Sequence, residues 1–126
     1  MENKNTCFCC EAPKLIFPCS GASDTGEIAD RAARKLARKG QGRMSCLAGI
    51  GGRVTEIIGA TQTASKILVI DGCSSDCAKK TLEQAGFKKI KHLRISDIGM
   101  EKGNSPVTEE RINKVVVEGN KALMSQ

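Results

Sequence analysis

Aromatic side chains are almost absent from this sequence of 126 residues, which has three phenylalanines and neither tryptophan nor tyrosine. Proteins that bind single-stranded nucleic acid usually stack the bases on aromatic side chains, so the composition argues against that partner. The core must be built from aliphatic residues, and an apolar fraction of 40% is sufficient for a normal one. The length is that of one domain.

Long apolar runs are also missing, since none approaches the roughly 20 residues that a membrane-spanning helix needs. The first 13 residues are polar and carry cysteine, without the apolar stretch of a signal peptide. We therefore expect a cytoplasmic protein with no membrane partner, in a compartment that keeps thiols reduced. The net charge of +6 is interpreted as solvated helix and strand faces, and we expect no nucleic acid partner.

Cysteine, by contrast, is abundant, with seven in the chain. In a reducing compartment such a set indicates metal binding, catalysis or redox chemistry rather than a disulfide framework. Cys7, Cys9 and Cys10 fall in residues 1–13, interpreted as an N-terminal arm, whereas residues 14–126 are predicted to form a single α/β domain. The three arm cysteines can supply further metal ligands or form a separate thiol-rich arm, and we favour the second interpretation.

Aliphatic and helical segments alternate from residue 14 onward. Strands are predicted over residues 14–19, 43–47, 66–71 and 89–95, each followed by a helix. This order predicts a parallel sheet with right-handed crossovers and helices on both faces. We expect a three-layer α/β/α Rossmann-like domain whose four-stranded parallel sheet has the strand order 2-1-3-4.

Local signals place the ends of these elements. Asp24 followed by Glu27 resembles a capping box at the start of the first helix. The glycine-rich residues 48–52 predict a loop, and residues 53–64 predict a second helix that buries Val54.

Four cysteines are predicted to meet at one edge of the sheet. Cys19, Cys46 and Cys73 lie at or just after the carboxyl ends of three strands, and Cys77 lies at the start of a helix above them. Parallel strands end on the same side, where open α/β sheets bind ligands. Converging thiolates suit Zn²⁺, which binds cysteine sulfur tetrahedrally at about 2.3 Å. Each cysteine taken alone can instead be a small buried apolar residue.

Two other interpretations of these residues stay open. Cys73 and Cys77 at a helix start can form a thiol redox pair. Cys46 with residues 49–53, which end at Arg53, can bind a phosphate or another oxyanion. Ser23, Asp24 and the amides of residues 49–52 can bind a small anion beside the metal, although a tight strand-to-helix turn explains the glycines better. We assign no catalytic residue and expect no established catalysis.

Acids and the single histidine near this edge are few. His92 is predicted in the middle of a strand, where a structural role is favoured over metal binding. Asp24, Asp71 and Asp76 are the candidate acids. For Asp24 and Asp76 we expect interactions with helix ends and no role with metal.

Three segments are distinctive enough to compare with a known family: Pro18–Glu27, Met44–Gly52 and Val69–Lys80. They closely resemble the DGC-domain family, named after the triplet that is Asp71-Gly72-Cys73 here. The resemblance covers residues 14–103 and implies a bacterial or archaeal zinc-binding protein with a structural, carrier or sensing role. The metal ligands that it implies are Cys19, Cys46, Cys73 and Cys77.

Overall fold

The computed structural model describes residues 12–126, so the arm cysteines Cys7, Cys9 and Cys10 lie outside the described residues. The strands are β1 (Lys14–Pro18), β2 (Arg43–Met44), β3 (Lys66–Asp71) and β4 (Lys91–Arg94). The α-helices are α1 (Asp24–Arg38), α2 (Leu47–Gly51), α3 (Thr55–Gln62), α4 (Cys77–Gln84) and α5 (Glu109–Met124). A 3₁₀ turn, Ile95–Ile98, follows β4.

All four strands are parallel and lie in the order β2-β1-β3-β4, as predicted. β1 pairs with β3 over its whole length, from Lys14 opposite Lys66 to Pro18 opposite Ile70. The chain therefore reverses its direction of travel across the sheet between β2 and β3, which places the ends of β1 and β3 next to each other.

Two apolar layers enclose the sheet. On one face α1 and α5 pack against Ile16, Leu68 and Ile70, and the alanine-rich side of α1 allows close approach. On the other face α2 and α4 pack around Phe17 and Val69. Successive residues of β1 and β3 thus point to opposite layers, as the period of a strand requires, and the predicted three-layer architecture is confirmed.

The prediction of a loop over residues 48–52 was wrong, because Leu47–Gly51 forms the short helix α2. Its glycines have low helix propensity, so the sequence did not indicate a helix here. Gly49 allows α3 to lie close to α2, since a Cβ at this position would lie 2.2 Å from Cδ1 of Ile57, and the Ile57 side chain would have to shift.

The second helical segment is also shorter than predicted, because α3 begins only at Thr55. Val54, predicted to be buried, precedes it and is 42% exposed. β2 has only two residues, so Cys46 does not end this strand but stands as the N-terminal cap residue of α2.

The start of α1 differs from the predicted capping box. Ser23 is the cap residue, and its hydroxyl oxygen accepts a hydrogen bond from the backbone N–H of Gly26 at 3.1 Å. Asp24 is the first helical residue, and its carboxylate is free to bind a different segment of the chain. Among residues 12–126, no helix is long and apolar enough to cross a membrane.

Candidate metal centre

The structure places all four predicted cysteines at the carboxyl edge of the sheet. Cys19 follows β1 directly, and its N–H donates to the carbonyl of Ile70 at 2.9 Å, which extends the ladder between β1 and β3. Cys73 lies two residues beyond β3, Cys77 is the first residue of α4, and Cys46 precedes α2. The loops that leave three strands therefore each contribute thiols to one edge.

The sulfur atoms are not gathered into one cluster. In the described part of the chain, no three cysteine sulfurs lie within 4.8 Å of one another. Cys19 and Cys46 line the same open groove, which Thr81 of α4 also borders. Cys46 and Cys77 are exposed, whereas Cys19 and Cys73 are half-buried. The thiols thus share an edge, and a tetrahedral sulfur site would require their side chains to turn toward one another.

Cys19 is the thiol set deepest in the edge. Burial raises the pKa of the Cys19 thiol above its ordinary value. The backbone N–H groups of Gly21 and Gly72 oppose this by donating hydrogen bonds to the sulfur, while the nearby charges of Asp71 and Cys77 reinforce it.

Cys73 has the opposite environment. The backbone N–H of Ser75, followed by its hydroxyl, donates to the sulfur and lowers the pKa of the Cys73 thiol. The ammonium group of Lys102 lowers the pKa further. The thiolate is the form of cysteine that binds metal or attacks an electrophile, so the lowered pKa of Cys73 favours both reactions.

Lys102 is held near the edge by Asp24. The two carboxylate oxygens of Asp24 accept the backbone N–H groups of Gly103 at 2.9 Å and Ser105 at 3.0 Å. These two hydrogen bonds are the main reason why the pKa of Asp24 lies below its ordinary value. Asp24 therefore fastens the loop that carries Lys102 to the start of α1, which is more than the helix-end interaction predicted for it.

The glycine of the Asp71-Gly72-Cys73 triplet is required by the contact between this loop and α1. A Cβ at Gly72 would lie 2.8 Å from the carbonyl carbon of Thr25 and 2.9 Å from the nitrogen of Gly26. Both are backbone atoms that cannot turn away. Glycine thus lets the chain leaving β3 pass against the first turn of α1 and brings Cys73 to the edge.

The aspartate of the same triplet caps α4. Asp71 is 1% exposed, and its carboxylate accepts the backbone N–H groups of Ala78 at 2.8 Å and Lys79 at 3.1 Å. Nε2 of His92 lies 2.9 Å from the same carboxylate. Asp71 is therefore a cap supplied by the end of β3, and it fixes the first turn of α4, where Cys77 stands.

Asp76, directly before α4, occupies the cap position, but its side chain makes no cap hydrogen bond with the helix. Its carboxylate instead receives two hydrogen bonds from the guanidinium group of Arg94, at 2.8 and 2.6 Å, which lower the pKa of Asp76. Asp76 has a left-handed backbone with φ of 52°, which is uncommon for a residue with a Cβ. The ion pair with Arg94 holds this residue in place.

Asp71, Asp76 and His92 are the one group of three potential ligands with mutual distances within 4.8 Å in residues 12–126. Their polar atoms already have other partners. Asp71 is bound by two backbone amides and Asp76 by Arg94. A cation would have to displace the guanidinium group and compete with its charge, so we assign this cluster a structural role.

The phosphate-loop interpretation of residues 46–53 finds no support in the position of its arginine. The guanidinium group of Arg53 donates to the carbonyls of Ile50 at 2.6 Å and Gln84 at 3.4 Å. These carbonyls lie at the ends of α2 and α4. Arg53 thus joins two helix ends and is not directed to Cys46.

Comparison with known proteins identifies the family of the chain. The sequence profile of the DGC domain matches residues 15–118. The chain belongs to the DGC-domain family. This DGC domain is 34% identical over 88 residues to the anaerobic and virulence modulator AnvM of Pseudomonas aeruginosa, an alignment that covers 70% of the chain and 67% of AnvM. No solved structure matches it.

Sequence reasoning missed the part of the DGC domain that supports the site from β4. His92 and Arg94 stand two residues apart on this strand, so they share a face of the sheet, and they hold Asp71 and Asp76 respectively. The spacing is visible in the sequence. Its partners were not, because Asp71 and Asp76 lie about twenty residues away and were assigned to other roles.

Proposed function

We propose that this protein is a zinc-binding DGC-domain protein whose ligands are Cys19, Cys46, Cys73 and Cys77, and that it works in the cytoplasm in a structural, carrier or sensing role. The observation that carries the proposal is that three strand-end loops and one helix start bring these thiols to a single edge. Thiolates are the ligands that Zn²⁺ prefers among soft donors.

The environments of the thiols support metal binding. The lowered pKa of Cys73 increases its thiolate fraction relative to an ordinary cysteine, which favours this residue as the first to bind a cation. The raised pKa of Cys19 means that its proton is retained until a cation displaces it. These features suit a site that the metal itself assembles.

Four sulfur ligands would make a closed site, in which Zn²⁺ stabilises the loops and leaves no position for a substrate. With three ligands, the open position would be reached through the groove that Cys19 and Cys46 line. The exposed positions of Cys46 and Cys77 make these two the ligands most easily exchanged. A carrier or sensor role would use such exchange.

A thiol redox role is the second candidate, and the observation that favours it is the hydrogen-bonded, half-buried Cys73. Its thiolate would attack a peroxide to give a sulfenic acid and release water or an alcohol. Attack by the Cys77 thiol would then form the disulfide and release a second water. The two candidates differ in whether metal or oxidant reaches Cys73 first.

Elemental analysis of untagged protein purified without chelator separates the two candidates. We expect about one zinc per chain, and loss of most of it when any one of the four cysteines is replaced by serine. A matched control is Ser45→Ala, which changes a neighbour of Cys46 without removing a thiol. Folded protein that carries no zinc, takes none up, and cycles between thiol and disulfide would refute the zinc proposal and favour the redox one.

A further inference from the structure

The first turn of α4 is fixed from outside the helix, which is unusual for a helix whose own cap residue is an aspartate. Asp76 occupies the cap position without using its side chain there. The two amides that such a side chain would satisfy, those of Ala78 and Lys79, bind Asp71 instead. The position of α4, and of Cys77 at its first residue, therefore depends on a carboxylate at the end of the neighbouring strand.

Within residues 12–126, His92 is the only side chain that hydrogen bonds to this buried carboxylate. Its Nε2 lies 2.9 Å from Oδ2 of Asp71, and an ionised carboxylate can only accept, so the ring nitrogen donates. The side chains of His92 and Asp71 are 17% and 1% exposed, which leaves water little access to the pair. His92 therefore orients the carboxylate that caps α4.

Metal-binding side chains are commonly held by hydrogen-bonding partners that do not touch the metal, and loss of such a partner weakens binding about 10- to 100-fold. Here the contact is with the backbone: Asp71 accepts hydrogen bonds from the amides of Ala78 and Lys79, which follow Cys77 in α4. The same Asp71 precedes Gly72 and Cys73, so one carboxylate joins two of the proposed ligands.

We propose that Asp71 and His92 are positioning residues for the thiolate site, with His92 locking the carboxylate that sets the place of Cys77. This inference rests on the proposed zinc function for its consequence, but the geometric part holds in the metal-free protein. The sequence predicted a structural or surface role for His92 in a strand. In the structure His92 contacts Asp71, which caps the start of α4.

Three variants of the full chain test the proposal. His92→Leu removes the donor, His92→Gln keeps an N–H at a similar reach, and Lys91→Leu changes a neighbour on β4 that faces a groove at the opposite end of the sheet. The first measurement is hydrogen exchange of the Ala78 and Lys79 amides in metal-free protein by NMR. The second is affinity for Co²⁺, followed by its thiolate absorption, which the absence of Trp and Tyr leaves easy to observe.

We expect His92→Leu to speed exchange of both amides and to weaken Co²⁺ binding, each by about 10-fold. His92→Gln should stay within about 3-fold of wild type, and Lys91→Leu should match wild type. Unchanged exchange in His92→Leu would overturn the proposal, as would an equal rise in exchange over the whole domain. Faster exchange with unchanged Co²⁺ affinity would also overturn it, because the link to the site would be missing.

The zinc function and the positioning role of His92 can be refuted separately with these variants. If the wild-type protein binds no Co²⁺, the zinc function fails, and the exchange rates of Ala78 and Lys79 alone decide whether His92 fixes α4. If the wild-type protein binds Co²⁺ and His92→Leu binds it equally well, the zinc function stands and the positioning role fails.

Discussion

Gly72 and the backbone of Thr25 approach so closely that a single added carbon would not fit between them. The Cβ of any other residue at position 72 would lie 2.8 Å from the carbonyl carbon of Thr25. This contact joins the loop that carries Cys73 to the first turn of α1. The middle residue of the family triplet is thus fixed by packing between two elements and not by contact with a metal.

Replacing Gly72 with alanine should therefore destabilise the metal-free protein. Forcing an extra carbon against backbone atoms costs about 1–3 kcal/mol of unfolding free energy. Urea unfolding followed by far-ultraviolet circular dichroism measures this change.

Gly59 provides the matched control for that experiment. It lies inside α3, and a Cβ there would meet no atom within 4 Å. Gly59→Ala should stabilise the protein by about 0.5–1 kcal/mol, since alanine is the better helix former. Equal effects at positions 59 and 72 would contradict the packing explanation.

The two half-buried thiols should ionise at different pH in the metal-free, reduced protein. Hydrogen bonds from Ser75 lower the pKa of Cys73, and burial raises the pKa of Cys19. Since only the thiolate reacts with iodoacetamide, Cys73 should reach its half-maximal rate at a lower pH than Cys19. Peptide mass spectrometry over a pH series gives both rates.

Ser75→Ala is the variant that tests the cause of this difference. It removes the hydroxyl donor but keeps the backbone one, so the pH midpoint of Cys73 should rise part of the way toward that of an ordinary thiol. The midpoint of Cys19 should not move. A reversed order of the two cysteines in the wild type would rule out the assigned environments.

Asp24→Asn should release the loop of residues 101–105. Gly103 and Ser105 donate to different oxygens of Asp24, and in asparagine one of these oxygens becomes an NH₂ group that cannot accept, so one of the two hydrogen bonds is lost in this geometry. Amide exchange at those two residues should speed up by about 10-fold, whereas Glu27→Gln on the exposed side of α1 should leave it unchanged. Equal protection of the loop in both variants would disprove that Asp24 holds this loop in place.

The attachment of this loop to Asp24 has a defined pH dependence. Its two backbone donors hold the pKa of Asp24 below the ordinary value, so the charged carboxylate is favoured in the folded state. Its contribution is complete above the unfolded pKa, about 3.9, and is lost as the pH falls through the lower folded pKa. Loop protection in the wild type should persist to below that value, while loss of protection near pH 6 would assign it to another group.

Much of the sheet followed from the sequence, because the four aliphatics of β3 and the alternation of strands and helices leave few topologies. The shared edge of Cys19, Cys73 and Cys77 followed from the same argument. α2 did not, since two of its five residues are glycine, whose low helix propensity argued against a helix. The hydrogen bonds of Asp71 and Asp76 to other elements could not be predicted either, because they depend on distances between strands rather than on the local sequence pattern.

The zinc proposal is tested most directly by X-ray absorption at the zinc K-edge on protein purified without chelator. We predict a first coordination shell of sulfur at about 2.3 Å, with four sulfurs per zinc in the wild type. In the zinc that Cys77→Ser retains, that number should fall to three. A shell made of nitrogen and oxygen alone, or zinc content that does not depend on the four cysteines, would contradict the account.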